Sequence, residues 1–211
     1  MDYVTAYFWQ QKARNASSLL LQQVKFKKGH SLVLACICED ARGGGAGEYV
    51  TGYLRDWFYD RVLLKRWKPT ERNVERLGHE LARVIGKAET DLGRTDFPIS
   101  GILCIDRLFV VFGRKSEILS QNTSFGRANI KSILGSGESL SMQCGILQEK
   151  VGILLGTQGF LKSMERHLVR ECLMVEEISC KKQAEKHLRE LCTEAVNGDV
   201  KDVAAVFLLS V

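Results

Sequence analysis

Ser31-Leu-Val-Leu-Ala-Cys-Ile-Cys-Glu39-Asp40-Ala-Arg42-Gly-Gly-Gly-Ala-Gly47-Glu48 is the stretch from which this chain is read. Its first eight residues form a continuous apolar run, the pattern of a strand buried on both faces. Glu39 and Asp40 stand at the C-terminal end of that run. Arg42 to Gly47 is too glycine-rich for regular structure and is free to take positive φ. Glu48 then opens a helical pattern with Val50, Tyr53, Leu54, Trp57, Phe58 and Val62 on one face. A strand, an acidic pair, a glycine loop and a helix in this order suit a place that holds a metal or a phosphate.

Upstream, Tyr3 to Phe8 alternates and reads as an edge strand, and Leu19 to Val24 as a second strand, with a polar turn at 12–18 between them. Downstream, Pro69-Thr70 makes a helix start. Val74, Leu77, Leu81, Val84, Ile85 and Ala88 carry a helical stripe to about Leu92, so the helices from Glu48 and Thr70 should lie antiparallel over one face of a sheet. From Ser100 the period becomes that of strands: Ser100–Ile105 and Leu108–Phe112 read as a hairpin on the two-residue turn Asp106-Arg107. The polar stretch 120–141 reads as loops around one short strand or turn, and 145–155 as another hairpin. Lys181 to Ala195 is a last helix, its inner face made of Ala184, Leu188, Leu191, Cys192 and Ala195. Val203 to Ser210 is a closing strand.

The chain has 211 residues, is 45% hydrophobic and holds two prolines, which predicts one globular domain, 1–211, with an ample core. A formal charge of +5 allows acidic or phosphorylated partners but falls short of a nucleic-acid signature. The seven cysteines sit mostly inside apolar patterns and the four histidines are scattered, so no zinc spacing appears. There is no signal-peptide pattern, and no apolar run reaches the roughly 18–20 residues that span a bilayer. A reduced, cytoplasmic protein without membrane or nucleic-acid partners is expected.

The opening stretch resembles the first metal-binding motif of the PP2C-type (metal-dependent) Ser/Thr protein phosphatases: an apolar strand, Asp-Gly-Met-Gly-Gly, a short loop, then Gly-Glu opening a helix. The frame is kept while the letters change. The family's metal-bridging Asp falls on Glu39, the glycine whose carbonyl also binds metal falls on Asp40, the Met on Ala41 and the next glycine on Arg42. Four further frames lie around it in the family's order, one upstream and three downstream. Asn15 matches its N-terminal Asn, but the acidic pair after it is Ala16-Ser17, with Arg14 close to where the family keeps a phosphate-binding Arg. Gly113-Arg114-Lys115-Ser116 is similar to Gly-Asp-Ser-Arg after the hairpin. Thr157-Gln158-Gly159-Phe160 is similar to Ser-Asp-Gly-Leu, with Gln158 at a metal-ligand Asp. At the closing strand Lys201 falls on the last metal-binding Asp and Asp202 beside it, while a one-residue slip would put Asp202 there.

The resemblance implies an α+β fold: a four-layer α-β-β-α sandwich of two mostly antiparallel sheets flanked by helix pairs. It implies a minimal, bacterial-type domain with a reduced flap at about 120–141. Three of the family's acids are replaced, at Ala16-Ser17, Gln158 and Lys201, so no catalytic residue is expected. Glu39, Asp40, Gln158, Lys201 and Asp202 form a vestigial site. The expected function is that of a pseudophosphatase binding a protein partner, a kinase or a phosphoprotein, with no cofactor. Two alternatives stay open: an atypical phosphatase with Mn²⁺ or Mg²⁺ on Glu39, Asp40 and Asp202, and an anion-sensing module using Arg14, Arg42 and Lys201. In the first reading Lys201 or Arg42 supplies the cation that neutralises Glu39 or Asp40, and the Lys201 ammonium is expected within salt-bridge reach of one of them.

Overall fold

The computed structural model describes every residue except 1, 12–16, 27–28, 41–42, 64–69, 125–126, 135–136, 166–168, 170–172, 174, 198–199 and 201. Among the described residues ten strands run as β1 (Tyr3–Gln10), β2 (Ser17–Lys25), β3 (Ser31–Glu39), β4 (Ile99–Ile105), β5 (Leu108–Arg114), β6 (Ile118–Ser124), β7 (Arg127–Leu134), β8 (Ser141–Ile146), β9 (Gly152–Gly156) and β10 (Val203–Ser210). The helices are α1 (Ala46–Trp57), continued by a π-type turn over Phe58–Leu63, then α2 (Glu71–Leu92), α3 (Gln158–Ser163) and α4 (Lys181–Asn197).

Two five-stranded antiparallel sheets stack face to face, one ordered β1-β10-β9-β6-β7 and the other β2-β3-β4-β5-β8. Helices α1 and α2 cover the outer face of the β3 sheet, where Leu54, Phe58, Leu77, Leu81 and Ile85 meet Leu34, Leu103 and Phe112. Between the sheets Val33, Ala35, Ile37, Ile102 and Val111 meet Ile153, Leu155, Val206 and Leu208. Helix α4 covers the outer face of the β10 sheet with Ala184, Leu188 and Leu191. This layering explains the unbroken apolar runs. In β3 residues 31–38 are all buried, as are all of β4, β5 and β10, because each of these strands has another sheet on one side and helices on the other.

The three segments expected in a buried sandwich form β3, β9 and β10, with Thr157 just past the end of β9. Helices α1 and α2 pack together on one sheet as their stripes require. Thr70 caps α2 through its side-chain oxygen, which accepts from Asn73 N, and Gly93, at φ 64°, closes its C-terminus. Two expectations fail. The stretch 120–141 is mostly strand, completing β6 and supplying the edge strand β7, whose polar sequences carry no apolar signature to read. The supposed hairpin over 145–155 is instead a crossing between sheets: β8 pairs with β5 while β9 pairs with β10 and β6. Among the described residues no helix is long and apolar enough to cross a membrane.

Candidate functional site

The sequence frames converge at one end of the sandwich. The C-terminal end of β3 delivers Glu39 opposite Ser17 of β2. The end of β9 delivers Thr157 and Gln158, and Asp202 leads into β10 beside them: the Thr157 hydroxyl donates to the Asp202 carbonyl at 3.1 Å. Glu39 ends a strand of one sheet, Gln158 opens α3 just past β9 of the other, and the two are joined directly, the backbone N–H of Gln158 donating to Glu39 Oε1 at 2.6 Å. Burial pushes the Glu39 carboxyl up to about 7, against the Gln158 N–H and the Lys162 ammonium, which favour its charged form, and with Asp202, which disfavours it. Glu39, Gln158 and Asp202 are therefore brought together as the sequence frames require.

Asp40 is one residue on and fully buried. Its Oδ2 accepts from the backbone N–H of Ala46 at 3.0 Å, the first helical residue of α1. Gly45 before it holds φ at 77° and offers no side chain to cap the helix, so Asp40 caps it from the strand end, where a carboxylate also meets the positive end of the helix dipole. Gly47 lets this helix start press on the sheet, for a Cβ there would stand 2.9 Å from Ser18 Oγ and 3.0 Å from the Cys38 carbonyl. The other oxygen, Oδ1, takes the guanidinium of Arg94 at 3.2 Å. Arg94 also holds Asp96 at 3.1 Å.

Arg94 is the cation that sequence reasoning missed. It lies 54 residues from Asp40, yet one signal was available: antiparallel α1 and α2 return the end of α2 to the start of α1, and Arg94 follows the α2 cap. The expected cations Arg14, Arg42 and Lys201 lie outside the described residues, as does Ala16, so the contact expected of Lys201 does too.

The Gly113–Ser116 frame is built differently from its acidic counterpart. Arg114 turns inward, its guanidinium 2.6 Å from Glu89, bonded to the Phe97 carbonyl and 5.0 Å from the Phe97 ring. Lys115 takes a positive φ of 56° and pairs with Glu138 at 3.0 Å. Its carbonyl accepts from the Gln158 side-chain amide at 3.0 Å. Gln158 thus presents N–H groups both to Glu39 and to Lys115.

A pair of hard divalent cations needs several charged oxygens converging on one point. Among the described residues no group of three or more His, Cys, Asp and Glu side chains is placed to hold a metal. One Glu39 oxygen faces an N–H, both Asp40 oxygens face donors, and the residue at the third ligand position is an amide that donates. The described donor set does not fit a two-cation centre.

No protein-family model and no curated protein matches the sequence. Solved structures do match over its whole length. The Ser/Thr phosphatase Stp1 of Staphylococcus aureus superposes with a TM-score of 0.71 at 12% identity, covering 100% of this chain and 96% of that one. The Ser/Thr phosphatase PstP of Mycobacterium tuberculosis gives 0.67 at 13%, covering 99% of each. The PP2C phosphatase domain of SpoIIE from Bacillus subtilis gives 0.64 at 11%, covering 99% of this chain and 63% of that chain. Identities this low carry the architecture and leave the chemistry of the site to be argued from its own residues. The two stacked antiparallel sheets with helices on both outer faces are the fold of the PP2C-type Ser/Thr protein phosphatases.

Proposed function

We propose that this domain is a PP2C-type pseudophosphatase, acting by binding a protein partner in Ser/Thr phosphorylation signalling, that partner being a kinase or a phosphoprotein. The observation that carries the reading is the 2.6 Å bond from the Gln158 N–H to Glu39. It closes the two sheets on each other across the end where a phosphatase of this fold would gather its cations. Asp40 supports it by serving α1 and Arg94. With Gln158 in place of an acid, the chain supplies a neutral amide where divalent cations require a negative group. The site's work is then to shape a surface.

The runner-up is an atypical phosphatase using Glu39, Asp40 and Asp202. It draws on the closeness of Asp202 to Glu39, felt in the raised Glu39 pKa. The capping and ion-pair duties of Asp40 weigh against it. Assay of p-nitrophenyl phosphate and a phosphopeptide with Mg²⁺ or Mn²⁺ separates the two. The expected result is no turnover above the buffer rate. Turnover that disappears with chelator and in Glu39→Ala would replace the first reading with the runner-up.

A further inference from the structure

Helix α2 buries Val74, Leu77, Leu81, Ile85 and Ala88. The ridge opposite, read at the same helical spacing, is Arg72, Arg76, His79, Arg83 and Lys87, and all five are exposed. The acids of α2 stand off this ridge or are already engaged. Glu71 and Glu75 border a recess against β8, with Leu108, Cys144 and Ile146 on its other side. Glu80 lies between Arg76 and Arg61, at 4.0 and 3.8 Å, so one acid faces two cations. Glu89 is turned inward onto Arg114 at 2.6 Å, and Asp91 accepts from the Tyr53 hydroxyl at 2.6 Å. Among the described residues no acid lies within ion-pair distance of Arg72 or Arg83.

The ridge has a shape as well as a sign. Its first turns border a recess of about 450 Å³, lined among the described residues by Arg72, Asn73, Glu75, Arg76 and His79. From Arg72 to Lys87 it runs about 22 Å, with a basic side chain about every 4.5–6 Å. An extended chain turns alternate side chains to one side about 7 Å apart, so about seven residues with an acid at every second place would lie along it. Just ahead of α2 the sequence adds Lys65, Arg66 and Lys68, which lie outside the described residues and carry the same sign.

We infer that the outer ridge of α2 is a docking track for an extended acidic segment of a partner protein. Carboxylates are what a row of guanidinium groups recognises, each fork offering two parallel N–H donors. The neighbouring helix decides against a flat anionic membrane. Laid on this helical layer, a membrane would also meet the exposed Glu48, Asp56 and Asp60 of α1 and its π-type turn, whereas a narrow chain along α2 avoids them. Single-stranded nucleic acid is disfavoured because the ridge offers no Phe, Tyr or Trp on which bases would stack. The track is distinct from the vestigial site and stands whether that site is silent or active.

Fluorescence anisotropy of the full chain with a labelled nine-residue peptide of alternating glutamate and serine tests it. Wild type should bind this peptide, more weakly as salt is raised, and should not bind the same peptide with glutamine for glutamate. Arg72→Glu combined with Arg83→Glu should weaken binding about tenfold or more, with the thermal melt confirming a folded chain. Lys181→Glu, an equally exposed charge reversal on α4 over the other sheet, should bind as wild type does. Equal binding of the two peptides, a double variant that binds as wild type, or an equal loss in Lys181→Glu overturns the inference. So does tighter binding of oligo-dT or of phosphatidylserine vesicles that is lost in the same double variant.

Discussion

Glu39 is a carboxyl whose surroundings prefer it neutral. Its pKa is raised by burial from the ordinary carboxylate range to about 7, so between those limits the folded chain binds a proton that the unfolded chain has released. Its contribution to stability is full below the ordinary range and is lost as pH rises through about 7. Glu39→Gln keeps an oxygen to accept from Gln158 and removes the titration. Thermal melts across pH should show the variant gaining on wild type as pH rises through neutrality, with the two similar in acid. A constant difference at every pH would show that Glu39 does not titrate in this window. Asp40 is a buried carboxylate that meets Arg94 and the start of α1. Arg94→Ala should lower the denaturation midpoint, because the buried Asp40 carboxylate loses a partner. Asp40→Asn in the same chain should recover part of that loss, read as the shift in denaturation midpoint.

At the scale of elements, β4 and β5 show how tightly a hairpin buried on both faces is fitted. Gly101 lies opposite Phe112 in the ladder, and a Cβ on Gly101 would come within 2.1 Å of the Phe112 ring. The ring covers the space that the glycine leaves. Gly101→Ala should cost about 1–3 kcal/mol by overpacking, and Phe112→Leu added to it should cost less than the sum of the two single changes. Chemical denaturation of the four proteins closes this cycle. Additive losses would show that the ring moves aside freely.

For the molecule as a whole, the Glu39–Gln158 bond joins the end of β3 to the start of α3 just past β9 of the other sheet, and the Ser116 hydroxyl, between β5 and β6, donates to the Gly156 carbonyl of β9 at 3.3 Å. If the chain itself supplies the closure that cations supply elsewhere, calorimetric titration of wild type with Mn²⁺ should show no tight binding. Gln158→Asp should acquire measurable affinity, because a third acid then joins Glu39 and Asp202 at one end of the sandwich. Tight Mn²⁺ binding by wild type would defeat the idea of internal closure.

Much of the architecture was legible along the chain because burial on two faces writes itself locally, as the continuous runs at β3, β5 and β10 and as the stripe of α2. The site frames at Glu39, Gln158 and Asp202 were legible for the same reason: each sits at the end of such a run. What tertiary structure alone decided was pairing. The polar strands β6 and β7 take their places from neighbours rather than from a pattern of their own, and β8 leaves for the other sheet where the sequence suggests a hairpin. Arg94, far along the chain, became the partner of Asp40, and a backbone N–H met Glu39. The sequence determined where charge would stand at the end of a buried strand. Which donor answers that charge depends on the approach of segments distant in sequence, which no local period encodes.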